Sequence, residues 1–259
     1  MIDLLSATFI GIDLRAVRRS YTYAALDGNQ TLIAFGQGRL DDIFSFISGR
    51  QTAICAINSP LTTCPTENSQ PDFTQEALFP IEQRKGRKQS QRQAEHDLQL
   101  KGIIVPKAPS TLEMKSSPGW VRRGFQFIQL LEQVGFKVWP TEGTSRQFLE
   151  VQAEAAFWNW LGAQPLSEET LEGRIQRQLI LAEMDIDVPD PMNFFEEVTR
   201  YKLLRGLLPM NGIYSPQELN AIMCAITALL LVKNPQQVAT FGSRSDGIIY
   251  LPIHEVNTR

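Results

Sequence analysis

The stretch TFIGIDLRAVRRSYTYAALDG, Thr8–Gly28, decides the fold. An apolar run reaches a lone aspartate, Asp13, and the chain then turns basic. A strand tip is a rigid place to hold an acid near a metal or a phosphate; an aspartate there also simply starts a turn. Working outward, Tyr21–Leu26 and Thr31–Phe35 alternate as strands joined by Asp27-Gly28-Asn29, whose glycine and asparagine tolerate the positive φ of a tight hairpin. Thr8–Asp13 and these two segments therefore predict a three-stranded antiparallel meander.

Leu40–Ser48 has helical spacing and Gly49 closes it. TAICAINSP follows, apolar at both parities, as in a central strand covered on both faces, and it ends in Asn58-Ser59-Pro60. Residues 62–90 lack periodicity and read as a loop insertion. Gln91–Lys101 and Ser117–Val134 read as helices, and FKVWP as a fifth strand ending at Thr141-Glu142. Ser145–Leu161, Ser167–Met184, Pro191–Leu204 and Pro216–Val232 have helical spacing, so a helical elaboration is expected around 145–205. Two short terminal strands, Gln237–Thr240 and Gly247–Leu251, complete the pattern. The expectation is one α/β domain over 1–259, with a mixed five-stranded sheet: three antiparallel strands, then parallel ones, with helices on both faces.

The chain has 259 residues, enough for a substantial core without staples. Its net charge is −3, so any polyanion site must be a local patch. Three scattered cysteines without a CxxC argue against a disulfide framework or a zinc site. Only His96 and His254 offer imidazole, so a metal here would be oxygen-bound, Mg²⁺ or Mn²⁺. With no signal-peptide pattern, and AIMCAITALLLV too short to cross a bilayer, a cytoplasmic protein without membrane contact is expected. A serine elbow, a Walker loop and a dinucleotide loop are all missing, and Leu14-Arg15-Ala16-Val17 has no glycine with which to clasp ATP.

Strand tips then nominate Asp13, Asn58 and Glu142, and Asn220 joins them near the start of the last long helix. Glu218 lies about 200° round that helix from Asn220, so the two cannot face one site. Arg84, Lys85, Arg87, Lys88 and Arg92 form an acid-free basic run, read either as a phosphate-binding arm or as a solvated loop. Arg15, Arg18 and Arg19 close behind Asp13, and Arg122 and Arg123 on a later helix, would extend such a patch. The tryptophans read as packing, His96 as a surface residue, and Glu95 with Arg92 as an i, i+3 helix pair or a cleft-lining acid.

FIGIDLRA (9–16), AINSPL (56–61), RQAEHDLQLKGI (92–103), GFKVWPTE (135–142), LEGRIQRQLIL (171–181), ELNAIMCAITALL (218–230) and IIYLP (248–252) resemble the domain of unknown function 429 family, predicted nucleases with an RNase H-like fold. The resemblance implies an acidic centre at the strand tips and the final helix. It also implies metal-dependent phosphodiester hydrolysis, with Asp13 and Glu142 holding Mg²⁺ or Mn²⁺. Asp13 matches the family's first-strand acid, Glu142 and Glu95 match acidic positions, and Arg92 and Arg174 match basic ones. Asn58 and Asn220 stand where the family usually has acids. Two formal charges are thereby lost from a site that must attract a divalent cation. Two functions stay open: an impaired nuclease, and a catalytically silent module that binds nucleic acid or a protein.

Overall fold

The computed structural model describes residues 4, 6–15, 20–64 and 91–254. The meander is present: β1 (Thr8–Asp13), β2 (Tyr21–Leu26) and β3 (Leu32–Gly38) pair antiparallel. Helix α1 (Leu40–Ser48) leads into β4 (Ala53–Asn58), which lies parallel to β1 with Asp13 opposite Asn58. Every residue of β1 and β4 is buried, as expected for central strands covered on both faces.

Among the described residues the sheet has eight strands rather than five; two of the additional three are the terminal strands read from the sequence, and the third falls on one segment. After α2 (Gln93–Leu100) and α3 (Gly119–Gln133), FKVWP supplies only a two-residue edge, β5 (Lys137–Val138). The central parallel strand is instead β6 (Arg146–Glu150), where helix was expected. RQFLE flows directly into the alanine-rich α4 (Ala153–Leu161), and the combined run imitates one helical period. The elaboration around 145–205 therefore opens with a strand, followed by α4, α5 (Leu171–Glu183), α6 (Asn193–Glu197) and α7 (Arg200–Leu204).

After α8 (Pro216–Lys233), the chain ends in the antiparallel hairpin β7 (Val238–Ser243) and β8 (Gly247–Pro252). The order across the sheet is β3-β2-β1-β4-β6-β8-β7. β5 and β8 share the remaining edge of β6: β5 takes Gln147 and Phe148, and β8 takes only Glu150.

Alternation along the strands divides the core. Ile10, Ile12, Cys55, Ile57 and Phe148 pack with Ile43 and Ile47 of α1 and Phe127 and Leu131 of α3. Phe9, Ile54, Ala56 and Leu149 pack with α4 and α8 on the other face. α8 begins with a capping box, Ser215 with Glu218, and with Pro216 in its first turn. It presses onto β1 so closely that a Cβ on Gly11 would lie 1.9 Å from the Ala221 carbonyl oxygen. On the opposite face a Cβ on Gly124 of α3 would lie 2.1 Å from Ser59 Oγ. Both helices are thus held against the tips of β1 and β4. The segment Met210–Lys233 is apolar enough and long enough to cross a membrane, but 72% of its most apolar window is buried inside this fold, as in a core helix.

Candidate functional site

Asp13 and Asn58 sit side by side at the carboxyl ends of two parallel strands, on the face that α8 covers. Asp13 is fully buried. Its Oδ1 accepts from the Arg15 backbone N–H at 2.7 Å, and its Oδ2 accepts from Asn58 Nδ2 at 3.1 Å. The Asn58 amide is fixed from both sides, because its Oδ1 accepts from the Ala153 backbone N–H at 3.0 Å. The nitrogen must face the carboxylate, and β4 is thereby tied to the start of α4.

The guanidinium of Arg15 completes the arrangement. Its Nε lies 3.5 Å from Asp13 Oδ2, and its two terminal nitrogens donate to the two oxygens of Glu168, each at 3.2 Å. Burial alone would lower the pKa of Arg15, but Asp13 and Glu168 outweigh it, and the net shift is upward. Asn220 of α8 donates from Nδ2 to Glu168 Oε2 at 3.1 Å. Its Oδ1 is buried with no hydrogen-bond partner among the described residues. Glu218 turns away into the helix cap. Cys224, one turn on from Asn220, carries a thiol whose pKa is pushed well up, first by burial and then by Asp13. It stays protonated at neutral pH and is no nucleophile.

Three of the four residues nominated from the strand tips and the last helix therefore meet through one network: Asp13, Asn58 and Asn220. Glu142 does not join it. It lies exposed in the turn between β5 and β6, leading into the amino end of β6, whereas Asp13 stands at the carboxyl end of β1. Glu168 takes part instead. Its only sequence signal is an acid pair just ahead of a helix, which is ordinary N-terminal chemistry.

Arg92 and Glu95 belong to a second buried network. Arg92 is fully buried and donates bidentately to Glu150 at the tip of β6, at 2.7 and 2.8 Å. It also donates from Nε to Glu95 at 3.0 Å and from Nη1 to Thr62 Oγ1 at 3.0 Å. Glu95 further accepts from the Ala108 backbone N–H, and Glu150 from the Leu61 backbone N–H at 2.9 Å. Burial would lower the pKa of Arg92, but Glu150 and Glu95 raise it further. Arg92 is thus committed internally and is not presented to a strand of nucleic acid. Arg174 donates to the Tyr214 and Ile213 carbonyls, anchoring α5 to the segment before α8. His96 is exposed beside Asp97, and His254 packs edge-on against Trp160. Arg18, Arg19, Arg84, Lys85, Arg87 and Lys88 lie outside the described residues.

The donor set does not fit a divalent cation. Both oxygens of Asp13 are engaged by donors, and both asparagines turn nitrogen rather than oxygen toward the carboxylates. The place between Asp13 and Glu168 is filled by a guanidinium. Among the described residues no group of three His, Cys, Asp or Glu side chains is arranged to hold a metal.

A separate cleft of about 800 Å³ borders the same rim. Tyr21, Arg39, Arg122, Arg123 and Gln126 line it, with Asp41 the one acid among the described lining residues. Arg123 donates to the Leu14 carbonyl, between Asp13 and Arg15, so the cleft opens beside the network.

No curated protein matches the chain. The model of one family, described as "Protein of unknown function (DUF429)", matches residues 11–240, from the middle of β1 into β7. On that match, which takes in both polar networks, the chain belongs to the DUF429 family of proteins of unknown function.

Proposed function

We propose that this protein is an RNase H-like module that binds nucleic acid and does not hydrolyse it. The strand order β3-β2-β1-β4-β6, antiparallel through β1 and parallel beyond it, supports the RNase H-like reading. The observation that carries the loss of hydrolysis is Arg15, seated between Asp13 and Glu168 where a metal-dependent enzyme needs its cation. Metal-assisted phosphodiester cleavage relies on anionic oxygens clamping divalent ions. Here two amides and a guanidinium occupy the positions around the two carboxylates. Binding is supported by the arginine-lined cleft at the amino end of α3, where Arg39, Arg122 and Arg123 offer positive charge beside a helix N-terminus. A cytoplasmic location belongs to the same proposal.

The test has two arms. Labelled single- and double-stranded DNA and RNA are titrated with protein across a range of salt, with anisotropy as the readout. Replacing Arg39, Arg122 and Arg123 by alanine is expected to flatten the log–log salt slope by about 0.7–0.9 for each phosphate no longer neutralised. The same oligonucleotides incubated with millimolar Mn²⁺ are expected to stay intact. Cleavage that Asp13→Ala abolishes would restore the hydrolase, and salt-independent or undetectable binding would remove nucleic acid as the partner.

A further inference from the structure

We infer that the fork between β5 and β8 is a binding site for a mononucleotide: a planar base carrying an anionic phosphate. The inference does not depend on the Asp13 rim binding a strand. The fork follows from the sheet. β5 and β8 both pair with the same edge of β6, β5 at Gln147 and Phe148 and β8 at Glu150 alone. Two strands that share one edge must diverge, and Gly247 and Ile248 are left with no strand partner on the β6 side among the described residues.

The gap is a cavity of about 430 Å³, within the size range of small-molecule sites. Its walls are mostly apolar, with Trp139, Phe148 and Tyr250 supplying aromatic surface and Leu61, Ile128 and Val138 completing them. Tyr250 holds its hydroxyl 3.5 Å from the Trp139 carbonyl, which keeps the two aromatic walls in register. Such walls suit a flat ring.

Three charged side chains stand among the described lining residues, Arg244, Glu132 and Glu150. Arg244 is exposed in the β7–β8 turn and makes no hydrogen bond or ion pair among the described residues. It lines the cavity together with Tyr250, and its charge opposes the upward shift that burial gives the Tyr250 phenol. An unpaired guanidinium at the edge of an apolar cavity is a receptor for a phosphate. Glu132 of α3 is likewise exposed, and it would accept an N–H from the edge of a base. Glu150 lines the cavity as well, but its oxygens are already taken by Arg92, Leu61 and Gln152, so it serves as wall.

The experiment titrates the whole protein with AMP, CMP, a short 5′-phosphorylated oligonucleotide and inorganic phosphate, reading Trp139 fluorescence. The Trp139→Phe variant gives the background from the other three tryptophans. Saturable quenching by a mononucleotide is expected. Arg244→Glu should weaken it by about tenfold or more, as for loss of a charge-assisted hydrogen bond. Val138→Trp, at a half-exposed wall position, should block it while the urea midpoint holds. Quenching by AMP or CMP identifies a free nucleotide, and quenching by the oligonucleotide alone identifies a strand end; either supports the site. An equal response to inorganic phosphate, no saturable response to any probe, or binding unchanged in both variants overturns it.

Discussion

Asn58 and Asp13 stand opposite each other on parallel neighbouring strands, and the amide of one donates to the carboxylate of the other at 3.1 Å. With Asp13 fully buried, that hydrogen bond carries more weight than a surface contact. Replacing Asn58 by aspartate turns the donor into a second anion. Loss of the bond should cost about 1.5–3 kcal/mol, typical for a hydrogen bond to a charged group. The new pair would titrate jointly, one proton being retained above the usual carboxylate range. A raised acid pKa stabilises the folded state at low pH, so the urea midpoint of Asn58→Asp should rise between pH 7 and pH 5. A flat profile would mean that the two side chains separate instead of sharing a proton.

Arg15→Ala should reverse the metal preference of the rim. The wild-type protein is expected to show no thermal shift with millimolar Mn²⁺, since its cation is built in. Removing the guanidinium leaves Asp13 and Glu168 facing an empty space and destabilises the protein in chelator. Mn²⁺ should then raise the melting temperature of the variant. No gain would show that the two carboxylates are too far apart to share an ion.

Arg92→Met tests the second network. It leaves Glu150 and Glu95 without their shared cation in a dry environment, at a cost of about 3–5 kcal/mol. Adding Glu150→Gln should recover part of that loss, because the uncompensated charge is then gone. A double-mutant cycle by urea denaturation measures the coupling, and strict additivity would show that the pair does not interact in solution.

Alkaline pH should weaken the fold through its buried thiols. Burial raises Cys55 and Cys224 above the ordinary value of 9.0, and a buried phenol, Tyr250, is raised as well. The unfolded chain releases these protons first and so binds fewer of them. Stability is therefore intact below the unfolded thiol value and falls as pH climbs past it. Urea midpoints followed from neutral pH upward should decline, and the decline should be shallower in Cys55→Ala and Cys224→Ala, each measured against its own neutral value.

The meander, the central strand β4 and the final helix were legible because each carries its own period and punctuation. The doubly apolar AICAI and the helix start Ser215-Pro216 each specify local geometry. Asp27 caps the hairpin turn by accepting from the Asn29 and Thr31 backbone N–H groups, although the positive φ expected at Gly28 and Asn29 falls on Gln30 instead. β6 was not legible, since RQFLE runs into AEAAFWNWL with only Val151-Gln152 between and has no turn residue to mark the change. Misplacing that strand put the acid at Glu142 rather than at Glu150. Asp13, Asn58 and Asn220 were found because strand tips and a helix start are fixed by topology. Glu168 was not, because its partnership with Arg15 spans 153 positions and depends on how α5 docks. Arg92 was visible as a charge but not as a buried one, since nothing in its neighbours announces that two carboxylates await it.

The guanidinium between Asp13 and Glu168 has one more consequence. A diffusible ion comes and goes with its supply, and hydrolytic turnover exploits that exchange by letting substrate oxygens and water take their turns around it. A charge fastened to the backbone two residues beyond Asp13 has nowhere to go. Its occupancy is complete at any ionic composition, chelators leave it untouched, and the rim keeps one set of contacts for as long as the chain stays folded.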